Sequence, residues 1–252
     1  MIEIKNIRKT FGKLTVLNGV NFTVRPGDVV SVIGPSGSGK TTLLRCINFL
    51  EKADSGVIRI GDMEADFRRI RAREKTAMRR KTAMVFQNYA LFLNKTALEN
   101  VMEGLVVSRR MNPSRARAIA ADTLCKVGLK DKFDAKPYEL SGGQQQRAGI
   151  ARALALNPEV ILFDEPTSAL DPEMADEILE LIKAVAKSGV TMVIVTHEMQ
   201  FAYGISNRAV FLDRGEIIEE GSQTDVFINT REERVKQFLS RFHVKRDTEY
   251  FI

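Results

Sequence analysis

The stretch Val30-Ser31-Val32-Ile33-Gly34-Pro35-Ser36-Gly37-Ser38-Gly39-Lys40-Thr41-Thr42 decides the fold of this chain. A β-branched apolar run ends at Ile33, a glycine-rich loop follows, and apolar residues at helical spacing begin at Leu43. This order predicts a strand, a loop and a helix. Residues 34–41 fit G-x-x-x-x-G-K-[ST], in which glycines let successive backbone N–H groups surround a phosphate chain. The stretch therefore predicts a nucleoside triphosphate site in an α/β fold.

Each residue type in this loop has a chemical reason. A helix that begins near Gly39 would direct its unpaired N–H groups and its positive end at the phosphates. Lys40 is expected to reach the β- and γ-phosphates, and the Thr41 hydroxyl to ligate Mg²⁺. A chance glycine–serine turn would not explain the flanking strand and helix. The expected nucleotide contacts are Gly34, Pro35, Ser36, Gly37, Ser38, Gly39, Lys40, Thr41 and Thr42.

Composition is that of a globular protein with a sizeable core. The chain has 252 residues, of which 44% are hydrophobic, which suits one large domain or a core with an inserted subdomain. Its apolar runs are shorter than the ~18 residues of a membrane span, and no signal peptide pattern is present. Cys46 and Cys125 form no metal or disulfide pattern and are expected to be small buried residues in helices. These features predict a cytoplasmic protein.

The net charge of +6 comes largely from a basic segment at residues 68–81. Three interpretations are open: a solvated helix face, contact with lipid headgroups, or contact with nucleic acid. No aromatic residue beyond Phe67 interleaves the segment, so it offers no platform for base stacking. We favour the solvated face and expect no nucleic acid partner.

The apolar pattern changes along the chain. Residues 2–24 alternate apolar and polar, which predicts antiparallel strands that turn at Gly12-Lys13. Residues 64–80 and 96–156 are expected to be helical, and strands then alternate with helices again. We therefore expect an α/β P-loop NTPase (RecA-like) core, residues 1–95 and 157–222, with an antiparallel β subdomain. An inserted helical subdomain would span 96–156 and a short helical tail 223–252.

Two carboxylates follow the apolar strand predicted at residues 160–163. The carboxyl end of a buried parallel strand faces the ligand crevice in open α/β sheets. Beside a P-loop, Asp164 is the natural carboxylate for Mg²⁺, and Glu165 can act as general base on the attacking water. An Asp-Glu pair alone would be weak evidence for this chemistry.

The stretch Leu140-Ser141-Gly142-Gly143-Gln144 precedes another predicted helix. It is either a helix cap or a second anion site built from a hydroxyl and exposed N–H groups. It lies about 100 residues after the P-loop, in a different lobe, and cannot easily fold back onto it. A two-fold dimer resolves this, because each Ser141 would cover the nucleotide on the partner's P-loop.

Together these motifs resemble the nucleotide-binding subunit of an ABC transporter, across essentially the whole chain. The resemblance identifies 34–41 as Walker A, 140–144 as the ABC signature and 160–164 as Walker B, followed by the catalytic Glu165. It implies that Gln87 contacts Mg²⁺ or water and relays movement to the membrane subunit, and that His197 contacts the γ-phosphate. Residues 168–171, ending at Asp171, resemble the D-loop that reaches across the dimer.

Two of these residues have a different interpretation when taken alone. His197 would more often be a packed or surface histidine, and Phe11, at the Gly12-Lys13 turn, would more often be core. The resemblance instead implies that Phe11 stacks on adenine, with Val16 as a further nucleotide contact. The resemblance implies that ATP and Mg²⁺ are the cofactors. On the facing copy, the implied nucleotide contacts are Ser141, Gly142, Gly143, Gln144 and Asp171. The implied Mg²⁺ contacts are Thr41, Gln87 and Asp164.

A narrower resemblance is to the polar amino acid uptake subfamily, carried by residues 43–51, 141–147 and 165–172, with a basic segment similar to the cystine-type branch. It implies a homodimer, two permease subunits and, indirectly, an extracytoplasmic amino acid-binding protein, with the ATPase peripheral at the cytoplasmic face of the plasma membrane. Residues 89–96 depart from the Phe-Pro-His stretch common in that subfamily. An exporter cassette, an ABC ATPase acting on nucleic acid, and a P-loop kinase or switch protein remain as alternatives.

Overall fold

The computed structural model describes residues 1–242, so the last ten residues of the predicted helical tail lie outside the described residues. The strands are β1 (Ile2–Phe11), β2 (Leu14–Val24), β3 (Val29–Ile33), β4 (Ser55–Ile60), β5 (Met63–Asp66), β6 (Thr82–Val85), β7 (Val160–Asp164), β8 (Met192–Val195), β9 (Arg208–Asp213) and β10 (Glu216–Ser222). The helices are α1 (Lys40–Ile47), α2 (Ala72–Arg79), α3 (Ala97–Glu103), α4 (Pro113–Lys126), α5 (Gly142–Ala155), α6 (Pro172–Lys187), α7 (Met199–Ile205), α8 (Gln223–Phe227) and α9 (Glu233–Leu239). A π-helical turn (Gly104–Ser108) continues α3.

Across residues 1–242 the strands form two sheets. The antiparallel sheet has the order β2-β1-β4-β5, and the other has the order β10-β9-β3-β8-β7-β6. In the second sheet, β6, β7, β8, β3 and β9 run parallel and β10 pairs antiparallel with β9. A mainly parallel sheet beside an antiparallel one is the α/β architecture expected from the alternating elements.

The parallel strands are buried on both faces, and their alternate residues belong to different cores. In β7, Ile161 and Phe163 pack into the core shared with α3 to α6, whereas Val160 and Leu162 pack into the core shared with α1 and the antiparallel sheet. Successive strand side chains point to opposite faces, so one apolar run supplies two cores. The central sheet is thus fixed between the helical layer and the antiparallel sheet.

Three details differ from the sequence expectation. Residues 63–66 form the edge strand β5, paired with β4, instead of the start of a helix. The apolar residues at helical spacing that begin at Leu43 continue to Leu50 and predict a helix to about that residue, but α1 ends at Ile47, and Phe49 adopts a left-handed φ of 56°. Cys46 is buried, and burial raises the pKa of its thiol to about 12, but Cys125 is exposed. The expectation of two buried cysteines was wrong for Cys125.

Candidate active site

Many of the predicted site residues meet where three neighbouring parallel strands end. Strand β3 ends at Ile33, β7 at Asp164 and β8 at Val195. In the register of the sheet, Val195 pairs with both Val32 and Asp164. The loop 34–42, the carboxylates of Asp164 and Glu165, and His197 therefore follow adjacent strands at one edge, where open α/β sheets bind ligands.

The path of the loop 34–42 requires glycine at two positions. Gly34 has φ 144°, and a Cβ added there would lie 2.0 Å from the carbonyl oxygen of Leu212. Gly39 has φ 107°, and its added Cβ would lie 2.7 Å from the carbonyl oxygen of Val16. Gly39 is also the residue before α1, so no side chain caps the first-turn N–H groups of this helix. The loop is thus a backbone cradle that ends on an open helix N-terminus.

The side chains of the cradle fit a triphosphate. Lys40 Nζ donates to the carbonyl oxygens of Gly34 at 2.9 Å and Pro35 at 2.8 Å, so its ammonium lies over the loop. Burial lowers the pKa of Lys40, while the nearby carboxylates of Glu165 and Asp164 act in the opposite direction. Ser38 Oγ is buried and has no hydrogen-bond partner in the described part of the chain. A buried ammonium and an unpaired hydroxyl beside a helix N-terminus that no side chain caps suit a polyanionic ligand.

Thr41 and Asp164 lie at hydrogen-bonding distance from one another. Thr41 Oγ1 donates to Asp164 Oδ1 at 2.7 Å. Burial holds the pKa of Asp164 above its ordinary value, and the Thr41 hydrogen bond offsets only part of that effect. A cation beside this carboxylate would offset the cost of its buried charge. Mg²⁺ is usually bound through one or two carboxylates plus substrate phosphates, and this pair fits that pattern.

The expected third magnesium contact is Gln87. It follows β6, which pairs with β7, and its side chain is exposed. Among residues 1–242, no three His, Cys, Asp or Glu side chains cluster as a metal cage. Asp164 ends β7 and Gln87 follows the neighbouring parallel strand β6, so both lie at the same edge of the sheet.

Glu165 is held in an unusual backbone conformation. Its φ is 47°, its N–H donates to the carbonyl oxygen of Val195 at 2.9 Å, and its own carbonyl accepts from Ser168 Oγ at 3.1 Å. The carboxylate oxygen Oε1 lies 2.9 Å from His197 Nε2. Left-handed backbone at a bulky residue costs free energy and persists where its surroundings enforce it, often at functional sites. The structure thus places Glu165 and His197 together, beside Asp164.

Phe11 and Val16 lie on the antiparallel sheet. The Phe11 side chain is 46% exposed at the end of β1, so the core interpretation of this residue is excluded. Lys9 Nζ lies 4.6 Å from its ring centroid. Val16 lies in β2 against the loop, where its carbonyl oxygen faces Gly39 and Gly215. Gly215 was missed from the sequence: its N–H donates to the carbonyl oxygen of Ser38 at 3.1 Å, and only the turn pattern Arg214-Gly215 could have indicated it.

The stretch 140–144 begins α5 as a capping box. Ser141 Oγ accepts from the Gln144 N–H at 3.3 Å, and Gln144 Oε1 accepts from the Ser141 N–H at 3.0 Å. Asp171 caps α6 with a single bond, accepting from the Met174 N–H at 3.0 Å. Ser141, Gly143, Gln144 and Asp171 line one cleft of about 530 Å³, and of the described residues none of 34–42 lines it. The structure therefore gathers the predicted site residues into two groups.

Comparisons with known proteins agree with this arrangement. The family model described as "ABC transporter" matches residues 17–168. The L-cystine import ATP-binding protein TcyN of Bacillus subtilis is 55% identical, with 96% of this chain and 93% of that protein covered. The probable amino-acid import ATP-binding protein YxeO of Bacillus subtilis is 50% identical, with 96% and 97% covered.

A solved structure also matches over most of the chain. It is the dimeric post-hydrolysis state of the ATP-binding cassette MJ0796 bound to ADP and Pi, with a TM-score of 0.78 and 38% identity. The match covers 88% of this chain and 99% of that one. None of the helices in residues 1–242 is both long and apolar enough to cross a membrane. The motifs, their placement at the strand ends and these matches lead to one conclusion: this chain belongs to the ABC transporter family, as an ATP-binding cassette.

Proposed function

We propose that this chain is the ATP-hydrolysing motor subunit of an importer for polar amino acids, with L-cystine as the first candidate cargo. The observation that carries the ATPase is the meeting of the loop 34–42, Asp164 with Glu165, and His197 at three adjacent strand ends. The cargo class is supported by the import functions in the names of the relatives above. This support favours import over the exporter and nucleic acid alternatives.

In this proposal the nucleotide lies along the loop 34–42. The loop N–H groups and Lys40 hold the phosphates, the exposed ring of Phe11 stacks on adenine, and Val16 contacts the nucleotide beside Gly39. Thr41, Asp164 and Gln87 would hold Mg²⁺, and its positive charge would stabilise the negative charge that develops on the phosphate oxygens during hydrolysis. The domain boundaries we propose are those expected from the sequence: a core of residues 1–95 and 157–222, a helical subdomain of 96–156 and a tail from 223.

Hydrolysis is assigned to Glu165 and His197. Glu165 takes a proton from water as the water oxygen attacks the γ-phosphorus and the bond to the β-γ bridging oxygen breaks, which yields ADP and phosphate. His197 Nε2, 2.9 Å from Glu165 Oε1, orients that carboxylate and reaches the γ-phosphate side of the site. The backbone conformation at Glu165 directs its carboxylate towards His197. Among the described contacts of Glu165, no lysine or arginine forms an ion pair with this carboxylate.

The second group of residues acts on a second copy of this chain. Ser141, Gly142, Gly143 and Gln144 present a hydroxyl and first-turn N–H groups at the start of α5, with Asp171 beside them. These groups would cover the nucleotide on the partner's P-loop, so each ATP is shared between two chains. The dimeric form of MJ0796 supports this geometry.

In the dimer, each copy of the chain would hold one of two permease subunits. The docking site would be a second cavity of about 540 Å³ between α2, the π-helical turn and α5. Its lining combines arginines with exposed apolar side chains, among them Arg79, Arg80, Arg109, Leu50 and Phe92. The cavity lies beside residues 86–90, the segment that contains Gln87. The chain would therefore be peripheral, at the cytoplasmic face of the plasma membrane, and coupled indirectly to an extracytoplasmic amino acid-binding protein.

The test is uptake of a labelled amino acid panel that includes L-cystine. Native-host cells lacking this chain would be complemented with the wild type, Glu165→Gln or Glu159→Gln. Glu159 precedes β7 at the end opposite to Glu165 and pairs with Lys81, so it is a matched control. We expect the wild type and the control to restore uptake of one or a few polar amino acids, and Glu165→Gln to abolish it. If none of the three raises uptake of any panel member above that of the cells lacking this chain, while the purified wild type hydrolyses ATP, the motor stands and the cargo is rejected.

A further inference from the structure

We propose that Tyr89 is a positioning residue that joins the segment after Gln87 to the loop at Ala169 and to the first turn of α5 at Gly142. The inference rests on the proposed function and adds a residue to that site. Its consequence is that three parts of the chain shift together when ATP binds: the segment after Gln87, the loop that leads to Asp171, and the start of α5.

The first observation is the backbone at residues 89 and 90. Tyr89 has φ 61° and Ala90 has φ 49°, two consecutive left-handed residues that are not glycine. Arg152 of α5 holds both, donating to the Ala90 carbonyl at 2.6 Å and to the Tyr89 carbonyl at 3.2 Å. Such a conformation costs free energy at each residue, so the contacts around it determine it. It aims the Tyr89 side chain at a defined place.

The second observation is what the Tyr89 phenol contacts. Its hydroxyl donates to the carbonyl oxygen of Ala169 at 3.3 Å, in the loop between Glu165 and Asp171. At 3.3 Å the bond is long, so a displacement of either loop by a few tenths of an ångström would weaken it. The bond is therefore sensitive to the relative position of the two loops.

The third observation explains a glycine in the signature stretch. Gly142 is helical and has no positive φ, so alanine would be the better helix former there. A Cβ at Gly142 would, however, lie 2.8 Å from the Tyr89 hydroxyl and 3.1 Å from Leu170 Cδ2. The phenol occupies the space that a side chain at residue 142 would need. One tyrosine thus touches two of the loops proposed to face the partner's nucleotide.

The test begins with Tyr89→Phe, which removes the hydroxyl and keeps the ring. We expect ATP turnover to fall roughly three- to tenfold, the worth of one hydrogen bond, with the melting temperature lowered by at most a few degrees. ATP affinity of the single chain should stay unchanged, because the loop 34–42 is untouched. ATP-driven dimerisation, followed by light scattering in a Glu165→Gln background, should weaken. The matched control is Tyr138→Phe, since Tyr138 is 72% exposed, and it should behave as the wild type.

A double-mutant cycle with Gly142→Ala provides the second measurement. With the hydroxyl removed, the added Cβ loses its 2.8 Å contact, and its next neighbours are Leu170 Cδ2 at 3.1 Å and Tyr89 Cζ at 3.6 Å. Gly142→Ala should therefore reduce turnover less in the Tyr89→Phe background than in the wild type.

Two outcomes would overturn the inference: wild-type turnover in Tyr89→Phe, or additive effects of the two substitutions. Failure of the proposed function would look different, because the wild type itself would then neither hydrolyse ATP nor dimerise with it.

Discussion

Glu165 is the residue on which the chemistry depends most. Its left-handed backbone is fixed by the N–H bond to the Val195 carbonyl and by Ser168, so a change of the carboxylate to an amide leaves the backbone support in place. The substitution Glu165→Gln should therefore keep ATP binding and slow turnover by roughly 10²- to 10⁴-fold, the usual contribution of a general base.

Purified protein and a phosphate-release assay check this prediction, with equilibrium ATP binding measured on the same samples. Glu159→Gln, at the other end of β7, should retain wild-type turnover because its exposed ion pair with Lys81 is worth at most about 1 kcal/mol. Near-wild-type turnover in Glu165→Gln would remove this residue from the role of base.

At the residue scale, the sequence alone predicts some positions and misses others for physical reasons. Glycines 34 and 39 were recognisable because a phosphate cradle needs their backbone freedom. Tyr89 was not, because a tyrosine ordinarily avoids positive φ, and its conformation comes from Arg152, 63 residues further along the chain. Cys125 was misassigned because the buried face of α4 is set by Ala116, Ala120 and Leu124, which leaves residue 125 exposed.

At the scale of elements, the start of α5 has two roles that can be separated. Ser141 caps the helix, and in our proposal it also faces the partner's γ-phosphate. Aspartate caps as well as serine and suits the positive helix end, but its charge would repel a phosphate. Ser141→Asp should keep the melting temperature and lower ATP turnover roughly 10²-fold or more.

The control is the same kind of change at the neighbouring helix. Asn112 caps α4 by accepting from the Ser114 N–H at 2.9 Å, so Asn112→Asp should affect neither stability nor turnover. Thermal melts and phosphate release on both variants decide the matter. Wild-type turnover in Ser141→Asp would leave Ser141 as a helix cap and no more.

The elements themselves were predictable where their pattern is strong. The buried strands β3, β7 and β8 are apolar except for Ser31 in β3 and the terminal Asp164 of β7. Helices α4 and α6 start at Asn112-Pro113 and Asp171-Pro172, which are clear capping signals. Strand β5 was missed because Met63–Asp66 is short and carries two acidic residues. It lies at the edge of the sheet, and its strand conformation depends on pairing with β4 and not on an alternation of apolar residues.

At the scale of the whole molecule, the predicted site residues of one chain fall into two separate groups. The loop 34–42 with Asp164, Glu165 and His197 lies at the carboxyl ends of the parallel strands, whereas Ser141 and Asp171 line a different cleft. The sequence predicted this division from the spacing of the motifs alone. How the helical layer sits on the sheet could not be predicted, because it depends on contacts such as Arg152 with residues 89 and 90.

The measurement that tests the shared site most directly mixes two variants that are each inactive. Both carry Glu165→Gln to trap ATP; one adds Lys40→Ala and the other Ser141→Asp. A mixed dimer has one site with both changes and one site with the native Lys40 and Ser141. We predict that neither variant alone dimerises with ATP, whereas their mixture forms a heterodimer that retains one ATP. A mixture that stays monomeric with ATP, under conditions where Glu165→Gln alone dimerises, would contradict the shared site.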